Sequence, residues 1–270
     1  MASQFYDLGN EKLRDYHRKY IRKSLESVEC ADNVLHHIGA EYTGPSDFME
    51  FWIRTVMEWE EESGREVKLV LNATKDVTDK ILSDPVLEAE VDVIDIRHWY
   101  HRTDSLVYAP EGGVSLAPRQ YQRIMDTGQT DGGCVWNTVL EYRLKYPQKA
   151  LLYNATRDKG AAWIAFLAGA SLCQIPQAVQ AAGFYVNALS MSPLFGGKDF
   201  WVAGKKALGY IAYTQSGAVE LDLSGDKTVY RLRWIDPASG NVLGKTQRIR
   251  GGELLSLKAP QSECVAYLCR

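Results

Sequence analysis

Two stretches of this sequence carry side chains able to do chemistry. The first is the apolar run from Asn33 to Pro45, which delivers one carboxylate, Glu41, to its C-terminal end just before an amphipathic helix begins. A buried parallel strand followed by Gly44, Pro45 and a helix is a βα unit, and in barrels of such units the reacting groups stand at the strand ends. Glu41 is therefore a candidate general acid or base. Glutamates after strands also cap helices or pair with arginine, so spacing alone leaves that structural role open beside the chemical one. The second stretch follows the apolar run from Val91 to Ile96. There Arg97, His98, Trp99, Tyr100, His101 and Arg102 set two cations, two imidazoles and two aromatic rings at the edge where a barrel takes its ligand.

Composition narrows the chemistry. The chain has 270 residues, 46% hydrophobic and 24% charged, enough for one large domain or two ordinary ones around a real core. A net charge of -3, with basic residues dispersed among acidic ones, leaves no footprint for nucleic acid or an anionic membrane surface. Seven Trp and fifteen Tyr suit stacking on sugar faces, although such rings also build cores. Of the cysteines Cys30, Cys134, Cys173, Cys264 and Cys269, only the last two are close, and no zinc spacing occurs, so free thiols are expected. His36 and His37 point to opposite faces of a strand with no partner histidine at i+2 or i+4; no metal and no cofactor is assigned. No stretch is long and apolar enough to span a membrane, the N-terminus opens no export signal, and no protein partner is evident.

The elements that must position these residues follow from periodicity. An amphipathic helix is expected over 10–28, then the Glu41 strand, then a helix from Pro45 stopped by Gly64 at its C′ position. A second strand covers 67–72 and leads into a short helix capped by Asp76 or Thr78, and the third strand is 91–96. A long loop over 103–118, too long for a connector, is expected to cover the site. Helices follow near 116–119 and over 134–145, a fourth strand over 150–154, an apolar helix over 160–169 and a short fifth strand over 173–176. After about residue 197 short alternating runs separated by turn residues replace this pattern. The expected division is therefore an α/β part, 1–195, and an antiparallel β-sandwich, 196–270.

Five βα strands fall three short of a closed (β/α)8 barrel, and an open parallel sheet would leave its edges unpaired. The count points to the C-terminal part of a longer polypeptide or a reading frame starting at an internal Met. A five-stranded flavodoxin-like sheet is the structural alternative, but no Gly-rich phosphate loop follows the first strand.

Several segments carry a family resemblance: residues 1–7, the helix ending at 20–23, Ile38 to Pro45, Asp92 to Arg97, and Tyr108 to Gly113 with Leu116 to Gln120. Together they resemble bacterial, largely Bacteroidetes-type, glycoside hydrolases with a TIM barrel of the apiosidase-like and cellulase-like clan. The segment from Trp234 to Gly240 with Gly251 and Gly252 is similar to the collagen-binding-like β-sandwich that follows such barrels. The resemblance implies a partial barrel made of about its last five βα units, and a polysaccharide or oligosaccharide substrate from plants or microbes. It further implies a periplasmic or extracellular location for the full-length relative, with catalysis by paired carboxylates. The clan pattern places an acid/base Glu after the fourth strand, where Glu41 falls, and a nucleophilic Glu after the seventh. The latter position reads Tyr153, Asn154, and an amide cannot serve. Glu111, Asp95 or Asp158 is then the second carboxylate, with Glu111 favoured, or that carboxylate lies in the absent segment of the barrel, or the protein binds sugar without hydrolysing it. The resemblance implies Tyr42, Asn72, Lys75, Asp95, Arg97, His98, Trp99, Tyr100, Tyr153 and Asn154 as the residues around the sugar.

Overall fold

The computed structural model describes residues 2–154, 160–176 and 183–270. They fall into two compact units, one of Met1–Tyr100, Leu106–Gly128 and Gln148–Leu152, the other of His101–Ser105, Gln129–Pro147 and Tyr153–Arg270.

In the first unit a short helix, α1 (Ala2–Phe5), precedes α2 (Glu11–Glu26), whose N-terminus is capped by Asn10 Oδ1 accepting from Leu13 N–H at 3.2 Å. Strand β1 (His36–Tyr42) leads into α3 (Ser46–Ser63), which ends at Gly64 in the left-handed conformation that a side chain would resist. Strand β2 (Leu69–Ala73), α4 (Lys75–Ser83), α5 (Pro85–Glu90) and β3 (Val91–Ile96) complete the βα pattern. Strands β4 (Tyr100–His101) and β5 (Val107–Tyr108) pair as a small ribbon inside the expected long loop. Helix α6 (Pro118–Ile124) and strand β6 (Ala150–Tyr153) follow.

The sheet order is β1-β2-β3-β6, with β1, β2 and β3 mutually parallel. Strand alternation gives the sheet two faces. Ile38, Leu69, Leu71, Ile94 and Ile96 lie on one, all buried, at roughly 1.5–3 kcal/mol for each side chain removed from water. His37, Val70, Asn72, Val93 and Asp95 lie on the other, and this polar face carries the candidate site.

Three expectations are corrected here. No strand forms at 173–176, where Ile175 N–H bonds back to Cys173 O at 2.8 Å in a tight turn and Pro176 has no N–H to give a ladder. The parallel sheet therefore has four strands rather than five among the described residues. The cap position of α4 is Thr74, not Asp76 or Thr78, and α5 follows separately because the Asp84 carboxylate accepts from Val86 and Leu87 N–H.

The second unit contains α7 (Gly132–Lys145), capped by Asp131, with α8 (Ala161–Leu167) and α9 (Phe184–Ala188). Eight antiparallel strands follow: β7 (Ser192–Gly196), β8 (Phe200–Lys205), β9 (Gly209–Thr214), β10 (Ala218–Asp222), β11 (Val229–Ile235), β12 (Val242–Arg250), β13 (Leu254–Lys258) and β14 (Cys264–Cys269). Six form a sheet ordered β12-β11-β14-β9-β8-β7, while β10 and β13 pair apart from it. Val219, Leu221 and Leu257 of the pair share one core with Val202, Leu232, Ala266 and Leu268 of the larger sheet, which makes a two-layer arrangement. The sequence pattern misses β7, with its exposed edge residues, and β13, where an exposed Leu254 beside the inward Leu255 hides the alternation.

Candidate functional site

Glu41 owes its placement to a break in the first ladder. Ile38 pairs with Leu71 and Tyr42 with Ala73, so three β1 residues, Gly39, Ala40 and Glu41, face a single β2 residue. The excess lifts them out of register as a bulge. Gly39 takes φ +69°, and a Cβ there would lie 2.5 Å from Tyr42 Cβ, so glycine is required. Glu41 itself has φ +59°, a conformation that costs a non-glycine residue about 1–3 kcal/mol and persists only when its surroundings impose it. Here the imposing group is Asn72, fully buried, whose Oδ1 accepts from Glu41 N–H at 2.8 Å. The carboxylate of Glu41 is exposed and makes no side-chain hydrogen bond or ion pair among the described residues.

The same amide reaches the next strand, since Asn72 Nδ2 faces Asp95 O at 3.5 Å. The Asp95 carboxylate is buried and accepts from Arg97 Nε at 2.8 Å, with His37 Nε2 at 3.0 Å on the same oxygen. A buried carboxylate held by two such partners is a fixed anchor. His98 follows, 5% exposed, with no hydrogen-bond partner for Nε2 among the described residues. Burial pushes its pKa down, against the pull of Glu41 and Asp95, and Arg97 adds to the depression. Its imidazole is thus held towards the neutral form beside Glu41.

The expected loop does reach this edge of the sheet. Gly113 N–H donates to Thr43 O and Gly44 O at 2.9 Å, Ser115 N–H to Thr43 O at 3.1 Å, and Thr43 Oγ1 to Leu116 O at 2.8 Å. Gly112 packs against Val77 and Thr74, and its N–H donates to the Asp76 carboxylate at 2.9 Å. Glu111 thereby sits on a segment bonded to the residues just after Glu41. Its carboxylate is exposed, and its backbone oxygen accepts from Tyr121 OH at 2.5 Å.

A cleft of about 590 Å3 runs past Glu41, walled by Tyr6, Tyr42, Phe48 and Trp52. Tyr6 and Phe48 meet edge to face at 4.9 Å, and Tyr42 lies nearly parallel to Phe48 at 6.4 Å. Tyr42 OH donates to Pro45 O at 2.6 Å, and burial pushes the phenol pKa well up, so it stays neutral. Tyr6, Phe48 and Trp52 escaped selection as site residues because a helical stripe and an N-terminal aromatic pair look like ordinary core.

The remaining expected residues are placed as follows. Trp99 is 2% exposed with Lys75 Nζ 4.7 Å above its ring, and Lys75 also pairs with Asp79 at 2.6 Å. Tyr100 stacks on Tyr108 at 4.9 Å and donates to Thr127 O at 3.1 Å. Tyr153 is half-buried and Asn154 exposed, both counted with the second unit, and Asp158 lies outside the described residues. No group of three or more His, Cys, Asp and Glu side chains placed to hold a metal occurs among the described residues.

A family model described as Domain of unknown function (DUF6298) matches residues 1–191. No curated protein matches the chain. Among solved structures, one titled "Glycoside hydrolase" superposes with a TM-score of 0.58 at 12% identity, covering 95% of this chain and 69% of the other. The likeness is one of fold alone.

Proposed function

The chain belongs to the family described as Domain of unknown function (DUF6298), and from its glycoside-hydrolase-like fold and the Glu41 cleft we propose that it hydrolyses a polysaccharide or oligosaccharide. In this reading the four-stranded sheet is part of a (β/α)8 barrel, and the antiparallel strands from about 196 onward are an ancillary sandwich. Glu41 gives a proton to the glycosidic oxygen, and Glu111, on the loop bonded beside it, supplies the second carboxylate. The tyrosine and tryptophan wall stacks on sugar rings, while Asp95, held by Arg97 and His37, fixes the strand ends behind the cleft and the buried, neutral His98 stands beside Glu41. Asn72, Lys75, Trp99 and Tyr100 hold the frame behind them.

One observation carries the reading most of the way: a non-glycine residue held in left-handed backbone, with its carboxylate free in an aromatic cleft. Backbone strain of that kind concentrates at functional sites. The test is reducing-sugar release from a panel of plant and microbial polysaccharides by the whole chain and by Glu41→Gln. Loss of about 10²–10⁴-fold in rate, with sugar binding retained, is expected of a general acid. An unchanged rate sinks the assignment.

A second reading, a non-catalytic sugar-binding protein, is favoured by Asn154, an amide at the end of β6 where the clan resemblance implies a nucleophile. It predicts binding without sugar release in wild type, and an altered affinity in Glu41→Gln.

A further inference from the structure

Besides its aromatic residues, the Glu41 cleft is walled by the end of the long loop, with Ser115 the polar member of that segment. Ser115 has φ +55°, so the cleft carries two non-glycine residues in left-handed backbone, Glu41 and Ser115, on separate segments of chain. Such a conformation persists only where neighbours impose it, and it collects at ligand clamps. For Ser115 the imposing residue is Thr43, buried and close beyond Glu41 on the same strand end. Its carbonyl oxygen accepts from Gly113 N–H at 2.9 Å and from Ser115 N–H at 3.1 Å, and its hydroxyl donates to Leu116 O at 2.8 Å. Thr43 thus ties the loop wall to the segment that presents the carboxylate. The Ser115 hydroxyl itself has no hydrogen-bond partner among the described residues.

The walls are also one-sided in charge. Tyr42 and Thr43 commit their hydroxyls to Pro45 O and Leu116 O, which leaves Tyr6 and Ser115 as the hydroxyls able to donate and accept towards a ligand. No arginine, lysine or histidine stands on the walls among the described residues. Arg97 is tied to Asp95, and neither it nor Arg119 lines the cleft. A carboxylate or sulfate on an entering sugar would give up hydration with no cation to replace it, and would meet the carboxylate of Glu41.

We propose that the cleft takes an uncharged saccharide, one without uronic acid or sulfate groups, and that Ser115 Oγ fixes one of its hydroxyls beside Glu41. The inference rests on the sugar reading given above but not on turnover, so it applies to a hydrolase and to a binding protein alike. A serine that only closes a turn would give way to glycine with no loss of binding; a ligand-fixing one would not.

The test is calorimetric titration of the whole chain with short oligomers of mannose, galactose and glucose, and with the corresponding oligomers of mannuronate, galacturonate and glucuronate. At least one neutral oligomer is expected to bind, and its uronic counterpart to bind about tenfold or more weakly. Ser115→Ala removes the hydroxyl and should weaken the neutral oligomer by about three- to tenfold, the worth of one hydrogen bond. Ser115→Gly should lose as much affinity while unfolding no earlier than the parent, because glycine accepts the left-handed backbone freely; that separates a lost contact from a lost fold. Lys12→Gln, an exposed cation on α2, should bind as the parent does. A uronic oligomer bound as tightly as its neutral counterpart overturns the proposal and leaves the sugar reading standing, as does parent-like affinity in both Ser115 variants. Binding of no oligomer of either kind sinks the sugar reading itself, and the proposal with it.

Discussion

Between Ile38 and Tyr42 the β1–β2 ladder breaks and hands Glu41 to solvent, whereas β14 runs unbroken against β9 from Cys264 to Cys269 and every one of its residues is buried. The two strands are similar in length, but β14 is apolar throughout while β1 carries His36, His37 and Glu41, and only β1 presents a carboxylate. An uninterrupted central strand, paired on both sides and packed on both faces, has no direction left in which to present a polar group. An interrupted one does, at a cost in backbone strain that neighbouring side chains must offset. In β1 that task falls to Asn72; in β14 nothing of the kind is needed.

The comparison can be broken from either side. The largest effect on stability is expected in the unbroken sheet, where Leu268→Ala removes a fully buried side chain and should cost about 2–5 kcal/mol, read by denaturant unfolding. Next comes Asn72→Ala. It strips Glu41 N–H of its acceptor and should cost about 1–3 kcal/mol, while lowering any sugar release nearly as far as Glu41→Gln. An Asn72→Ala variant with full activity would show that the clamp does not position the carboxylate. Opposite in sign is Glu41→Gly: relief of the left-handed strain should raise stability by about 1 kcal/mol while abolishing turnover. A destabilised Glu41→Gly protein would mean that the bulge is not strained.

The smallest effect lies away from the site. Burial pushes the Glu60 carboxyl up from 4.5 to about 7; the Val67 N–H opposes this and Glu90 adds to it. A carboxyl whose folded pKa is raised contributes stability that is whole below about 4.5 and is lost as pH rises through about 7. Glu60→Gln should therefore melt higher than the parent at pH 8, and the gap should close by pH 4.5. A gap that widens on acidification would contradict the assignment.

Much of this was legible in the sequence. The apolar runs at 67–72 and 91–96 and the glycine at 64 announce β2, β3 and the end of α3, because buried parallel strands and helix stops leave local signatures. Glu41 was legible as a strand-end carboxylate, but the bulge beneath it was not. Two residues in excess of a neighbour's register leave no mark within a single strand. The His37, Asp95 and Arg97 cluster stayed hidden for the same reason, since the pairing of His37 with a residue two strands away depends on sheet order. The cross-strand pairing of Arg231 with Arg248 escaped because the two are brought together only by a hairpin register.

The bulge also separates two kinds of inheritance within β1. Ile38 and Tyr42 hold partners on β2 at either side of the break, so the core is specified by the flanks and the aim of the carboxylate by residues 39–41. Of those three, Gly39 is fixed by its closeness to Tyr42 and Glu41 by the Asn72 clamp, which leaves the exposed Ala40 as the position open to change. A lineage carrying this fold could therefore vary the surface beside the carboxylate at one residue, while the sheet that supports it stays the same.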